Sequence, residues 1–219
     1  MPRAPPAPTG GRVVHPRLTL ALSIMETIAI LAYAASGFIE ARKRRLDAIG
    51  TFLVALATAF GGGTVRDLML ERRPFYWVEH QEYVIVIFVA SFFAPYVLRL
   101  ISHVISERAL LIADAIGLGL FSVAGTSIAL DAQMPAFIAV LMGVTTGVFG
   151  GIIRDVLCND VPLILRDSRP YATCAFVGCW LYLLLNRLDF DPIYSVLIAT
   201  GFILVARLVT YKFDVRLPH

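Results

Sequence analysis

Two arginine-aspartate pairs, Arg66-Asp67 and Arg154-Asp155, lie 88 positions apart, each inside a run of apolar residues. A charge at the centre of a bilayer costs about 2.5 to 3.5 kcal/mol on insertion scales, so ionisable groups within apolar spans need partners or water. The chemistry such groups offer is charge stabilisation along a polar path. Neighbours at i, i+1 on a helix do not face each other, so neither arginine is expected to pair with the aspartate beside it. An acid lies near the start of the apolar run that begins each half of the chain, Glu26 in one case and Asp114 in the other. The expected pairs are therefore Arg66 with Glu26 and Arg154 with Asp114, one at each mouth of a polar path.

Glycines precede both pairs: "AFGGGTVRDLML" covers residues 59–70 and "GVFGGIIRDVLC" residues 147–158. Glycine costs about 1 kcal/mol relative to alanine in a helix interior. Irregular backbone at membrane depth is tolerated only where it is buried in protein or lines a watery cavity. Gly61, Gly62 and Gly63, with Gly150 and Gly151, are expected to break or kink two helices beside a pore, so that freed carbonyls and half-helix ends face an ion. The competing reading makes them close-packing points, since small residues let membrane helices approach. Small hydroxyl residues flank the glycines: Ser36, Thr58 and Thr64, then Ser122, Thr126, Ser127, Thr145 and Thr146. Singly, such a group more often bonds its own helix backbone; together they can wet a narrow path.

The elements that must hold these groups are membrane helices. Of 219 residues, 58% are hydrophobic and 16% charged, with a mean hydropathy of +0.76, against about 25% charged in soluble domains. A net charge of +3 is too small to argue for nucleic acid, and in an apolar chain a basic excess marks cytoplasmic loops. Cys158, Cys174 and Cys179 have no CxxC spacing and no histidine at metal-ligand distance in sequence, so neither a metal nor a cofactor is expected. There is no HExxH and no nucleophile and base at recognisable spacing, which argues against an enzyme.

Runs long enough for a bilayer, about 17 to 25 residues each, fall at about 20–40, 47–70, 82–103, 108–130, 135–158, 170–187 and 191–211. Residues 1–19, rich in proline and small residues, read as a disordered tail rather than a signal peptide, and 212–219 as a second tail. Counting Lys and Arg in the connections gives eleven on one side (Arg42, Lys43, Arg44, Arg45, Arg99, Arg108, Arg166, Arg169, Arg207, Lys212, Arg216) and six on the other (Arg3, Arg12, Arg17, Arg72, Arg73, Arg187). The positive-inside rule then places the N-terminus outside and the C-terminus in the cytoplasm.

An offset of 88, applied without a gap from Glu26 to Tyr83, yields twelve identities over 58 positions, gathered at Gly, Arg, Asp and Pro. Gly37 falls on Gly125, Thr58 on Thr146, Gly62 and Gly63 on Gly150 and Gly151, Pro74 on Pro162, and Tyr83 on Tyr171. The expected fold is an all-α membrane protein of seven transmembrane helices. It comprises a three-helix repeat at 20–103, a second at 108–187 of inverted topology, and a seventh helix at 191–211.

Two copies of a three-helix unit, each carrying GG, RD and a downstream proline, plus a seventh helix, resemble the prokaryotic members of the trimeric intracellular cation (TRIC) channel family. The same membrane proteins are also grouped as an uncharacterised family whose repeat is labelled a glycine transporter domain. The resemblance covers about residues 20–211. It implies a homotrimer in the cytoplasmic membrane, surrounded by lipids, with a separate hourglass pore in each protomer around the kinked second and fifth helices. It further implies conduction of potassium and, less selectively, of sodium. Carried over by motif, the kinks are Gly61, Gly62, Gly63, Gly150 and Gly151, with Arg66, Asp67, Arg154 and Asp155 just beyond. The animal channels carry a lysine-glutamate-valine lipid-binding motif that this chain lacks. No TVGYG-like filter is present either, so potassium preference is not expected from a carbonyl cage. The alternative is a secondary transporter of a small amino acid such as glycine, for which broken helices in an inverted repeat are equally apt.

Overall fold

Asp47 accepts a hydrogen bond from the Gly50 N–H at 2.7 Å, and Asp191 one from Ile193 N–H at 2.9 Å; each caps the start of a long apolar helix. The computed structural model describes residues 16–100, 107–166 and 170–216. Among these the regular structure is entirely helical: α1 (Pro16–Lys43), α2 (Ala48–Met69), α3 (Tyr76–Glu79), α4 (Gln81–Leu100), α5 (Glu107–Asp131), α6 (Ala136–Leu157), α7 (Leu163–Arg166), α8 (Ala172–Arg187) and α9 (Pro192–Lys212). Most of the expected N-terminal tail, with Arg3 and Arg12, lies outside the described residues, as do Arg169 and residues 217–219. Residues 16–19, expected in that tail, are instead helical, Pro16 taking the first helical position, where its missing N–H costs nothing.

Among the described residues five helices are long and apolar enough to cross a membrane: Ser23–Lys43 within α1, α2, α5, α6 and α9. The sixth expected span starts at Ala172 rather than 170, and its 16 residues reach only about 24 Å. The short helices α3 and α7 follow α2 and α6 and form part of the connections to α4 and α8.

Backbone geometry repeats at the offset seen in the sequence. Helices α2 and α6 begin and end 88 residues apart. Left-handed residues close α1 and α5 at Arg45 (φ 55°) and Gln133 (φ 61°), and α2 and α6 at Glu71 (φ 53°) and Asn159 (φ 54°), the usual way a helix terminates. The same pairs of helices pack in each half: α1 on α2, α2 on α4 and α1 on α4, then α5 on α6, α6 on α8 and α5 on α8. The halves meet where α2 packs on α6 and α1 on α5, and α9 lies against α5 and α8. Ala29, Ile30, Tyr33, Ala55, Phe60 and Phe121 form one buried core; Leu118, Val148, Tyr171, Ala199 and Ile203 form another around α9.

Candidate functional site

The glycines do not interrupt their helices. Both α2 and α6 run as continuous α-helix through Gly61, Gly62, Gly63, Gly150 and Gly151, so the chain is not broken there. A Cβ on Gly62 would overlap the Thr146 carbonyl, and one on Gly150 would lie 2.5 Å from the Thr58 carbonyl oxygen and 2.8 Å from the Tyr33 ring. A Cβ on Gly61 would meet the end of Ile153 at 2.6 Å. Small residues let the two backbones cross in contact, the packing role the sequence left as the weaker reading. Gly63 and Gly151 are different. A Cβ there would find only Arg66 Nη2 at 3.8 Å in the first case, and in the second Asp114 Oδ1 and the Tyr171 hydroxyl at 3.4 Å and Arg154 Nη2 at 3.7 Å.

The Thr58–Gly150 and Gly62–Thr146 contacts make α2 and α6 antiparallel. Arg66 and Arg154 therefore lie on opposite sides of the crossing, about 18 Å apart along the axis at 1.5 Å per residue. At its centre Tyr33 is 1% exposed, its ring filling the space left by Gly117 and Gly150, and its hydroxyl donates to the Gly147 carbonyl. Phe121, the residue 88 positions on, packs against it with the rings tilted by 52° and 5.3 Å between centroids. The sequence reading passed over Tyr33; its signal is an aromatic at the same place in both halves.

At the Arg154 end, α6 presents a fully buried guanidinium. Its Nη1 donates to Asp114 Oδ1 at 2.9 Å and to Ser36 Oγ at 3.1 Å, and its Nε to Asp155 Oδ1 at 2.9 Å. The Tyr171 hydroxyl donates to Asp114 Oδ2 at 2.8 Å, and Leu163 N–H donates to Asp155 Oδ2 at 2.9 Å. The expected Arg154–Asp114 pair is present. The adjacent aspartate is also bonded, contrary to expectation, because three methylenes let a guanidinium swing round to a neighbour whose Cβ points elsewhere.

At the Arg66 end that adjacent contact replaces the expected one. Arg66 gives Nε and Nη2 to Asp67 Oδ1 at 2.9 and 2.8 Å, and Arg72 Nη1 stands 3.7 Å from the same oxygen. Among the described residues no ion pair within 4.0 Å joins Arg66 to Glu26. Glu26 shares a cavity with Arg66, Asp67 and Tyr76. Burial, with Glu26 beside it, pushes the Tyr76 phenol above its ordinary range, so the group keeps its proton and serves as a donor.

The hydroxyls mostly bond their own helices. Thr58, Thr64, Thr126 and Thr146 each donate to the carbonyl four residues back, and Ser36 to Tyr33 three back. Thr145 and Ser127 are half-buried, and the buried Ser122 Oγ has no hydrogen-bond partner. Polar space instead collects at the two ends. A cavity of about 20 Å³ touches Glu26, Gly63, Thr64, Arg66, Asp67 and Tyr76. One of about 520 Å³ at the other end touches Glu40, Glu107, Asp155, Asp160, Lys43 and Arg207, among others. A third, about 60 Å³, lies by Glu26, Ser127 and Asp131.

A family model described as Glycine transporter matches the chain twice, over residues 23–99 and 111–187, again 88 residues apart. The chain is 38% identical over 154 residues to the UPF0126 inner membrane protein YadS of Escherichia coli (strain K12), covering 70% of this chain and 73% of that protein. It is similar to a solved structure of the TRIC trimeric intracellular cation channel orthologue from Rhodobacter sphaeroides, with TM-score 0.80 and 30% identity, covering 89% of this chain and 98% of that one. A structure solved to explain conductance through TRIC cation channels matches with TM-score 0.76 and 32% identity over 90% of this chain and 96% of that one.

Proposed function

The chain belongs to the TRIC-like family whose model is described as Glycine transporter, and we propose that it is a monovalent cation channel with one pathway in each protomer. The observation that carries this reading is a pair of cavities at opposite ends of the α2–α6 crossing, each reached by the aspartate of one Arg-Asp motif, Asp67 in one and Asp155 in the other. Between them the α2–α6 crossing is close-packed at Gly62, Gly150 and Tyr33, and on this reading the conformation is a closed one. Carboxylates reach both cavities, Glu26 and Asp67 at one end and Asp155 and Asp160 at the other, and oppositely charged clefts concentrate cations.

On this reading the chain spans the cytoplasmic membrane seven times, as two inverted three-helix repeats at 20–103 and 108–187 and a seventh helix at 191–211. The N-terminus is outside and the C-terminus in the cytoplasm. Three copies assemble about a threefold axis, with contacts from the first, second, fourth and fifth spans, and the ions carried are potassium and, less selectively, sodium. Support for the repeat comes from the paired left-handed residues and the two family matches at one offset. Exposed apolar faces on α2 and α6, including Leu53, Leu68, Phe137 and Leu157, are available to lipid or to a neighbouring protomer. The solved neighbours are described as cation channels, so a glycine transporter is not favoured.

Potassium flux in proteoliposomes tests this. A channel passes potassium down its gradient with single-channel steps in a planar bilayer. Saturable uptake and counterflow of labelled glycine, without such steps, would refute it.

A further inference from the structure

Counting charges at the two ends exposes a shortfall that the seventh helix makes good. At the Arg66 end the carboxylates Glu26 and Asp67 meet the cations Arg66 and Arg72. Shifted by 88 residues, the cluster becomes Asp114, Asp155 and Arg154, but the counterpart of Arg72 is Asp160, an acid. Two buried carboxylates would then share one guanidinium. The rim groups do not help, because Lys43 and Arg44 are engaged by Glu40 and Asp160.

Arg207 of α9 stands in the gap. It is 1% exposed, it lines the 520 Å³ cavity together with Asp155, and its guanidinium lies 4.6 Å over the ring of Tyr171, whose hydroxyl bonds Asp114. Neither its Nε nor its Nη1 has a hydrogen-bond partner, and among the described residues no carboxylate pairs with it. A buried cation with two of its three guanidinium nitrogens unbonded is costly unless its field is used. Here the cavity that it lines also holds Asp155, whose cluster with Asp114 has one guanidinium for two carboxylates.

We propose that Arg207 is the counter-charge of the Arg154 mouth, brought in by α9 to balance Asp114 and Asp155 through space as Arg72 helps to balance the other mouth. The repeat by itself is electrically incomplete, and the seventh helix completes it. A fixed positive charge in the larger cavity also lowers the cation concentration there, so Arg207 sets how readily ions enter from that side. This consequence for ion entry rests on the channel reading above; the charge balance does not.

The test compares the full chain with Arg207→Gln, Arg207→Lys and the double variant Arg207→Gln/Asp155→Asn. In planar bilayers with symmetric potassium chloride, Arg207→Gln is expected to raise current entering from the Arg207 side about twofold or more relative to the opposite direction. The asymmetry shrinks at 1 M salt, where screening is strong, and Arg207→Lys leaves the parent's current–voltage relation. In detergent, Arg207→Gln melts below the parent and the double variant recovers part of the loss. Lys behaving like Gln, an asymmetry indifferent to salt, or a double variant melting no higher than Arg207→Gln would each overturn the proposal. If the parent passes no potassium, the channel reading fails and the melting series alone decides the role of Arg207.

Discussion

Adjacent glycines in α2 are expected to respond oppositely to the same substitution, because only one of them lies in the helix crossing. Alanine gains about 1 kcal/mol over glycine in a helix interior wherever the methyl group fits. At Gly63 it fits, since a Cβ would meet nothing nearer than Arg66 Nη2 at 3.8 Å, so Gly63→Ala should stabilise by about that amount. At Gly62 a Cβ would overlap the backbone carbonyl of Thr146 and approach Gly150 N at 3.3 Å. A carbonyl within a helix cannot rotate away as a side chain can, so α2 and α6 must separate. Overpacking costs about 1 to 3 kcal/mol, and taking the upper end less the propensity gain leaves a net loss of about 2 kcal/mol. At about 2 to 4 °C per kcal/mol for a chain of this size, Gly62→Ala should melt about 4 to 8 °C below the parent and Gly63→Ala about 2 to 4 °C above it. Thermal unfolding of the solubilised protein checks this. Were Gly62→Ala to melt at or above the parent, the close crossing of α2 and α6 would be wrong.

The remaining predictions concern the outer charges and the central tyrosine. A double-mutant cycle on melting should give Arg66 and Asp67 a coupling of about 0.5 to 3 kcal/mol and leave Arg66 and Glu26 additive within about 0.5 kcal/mol; the reverse order would restore the pairing expected from sequence. Tyr33→Phe keeps the ring but removes the bond to the Gly147 carbonyl, so it should cost about 1 kcal/mol of stability and increase potassium flux. An unchanged flux would show that Tyr33 does not hold the path closed.

Seven apolar runs, the offset of 88 and the doubled Arg-Asp motif are legible in the sequence because hydropathy and self-similarity are properties of the chain alone. The Arg154–Asp114 pair follows too, since the direction of each span fixes which ends meet. Other features needed neighbouring helices in place. Glycine lowers helix propensity and also permits close approach, and the sequence of α2 is the same whichever effect dominates; the backbone of α6 against Gly62 decides for approach. Spacing rules keep Arg66 from Asp67 because they track Cβ directions, whereas the folded site leaves a long guanidinium that carboxylate within reach and no ion pair to Glu26. Arg207 reads as one more basic residue near the end of the last helix. That it meets Tyr171 and the cavity of Asp155 is set by how α9 packs on α5 and α8, a long-range arrangement that local pattern does not encode.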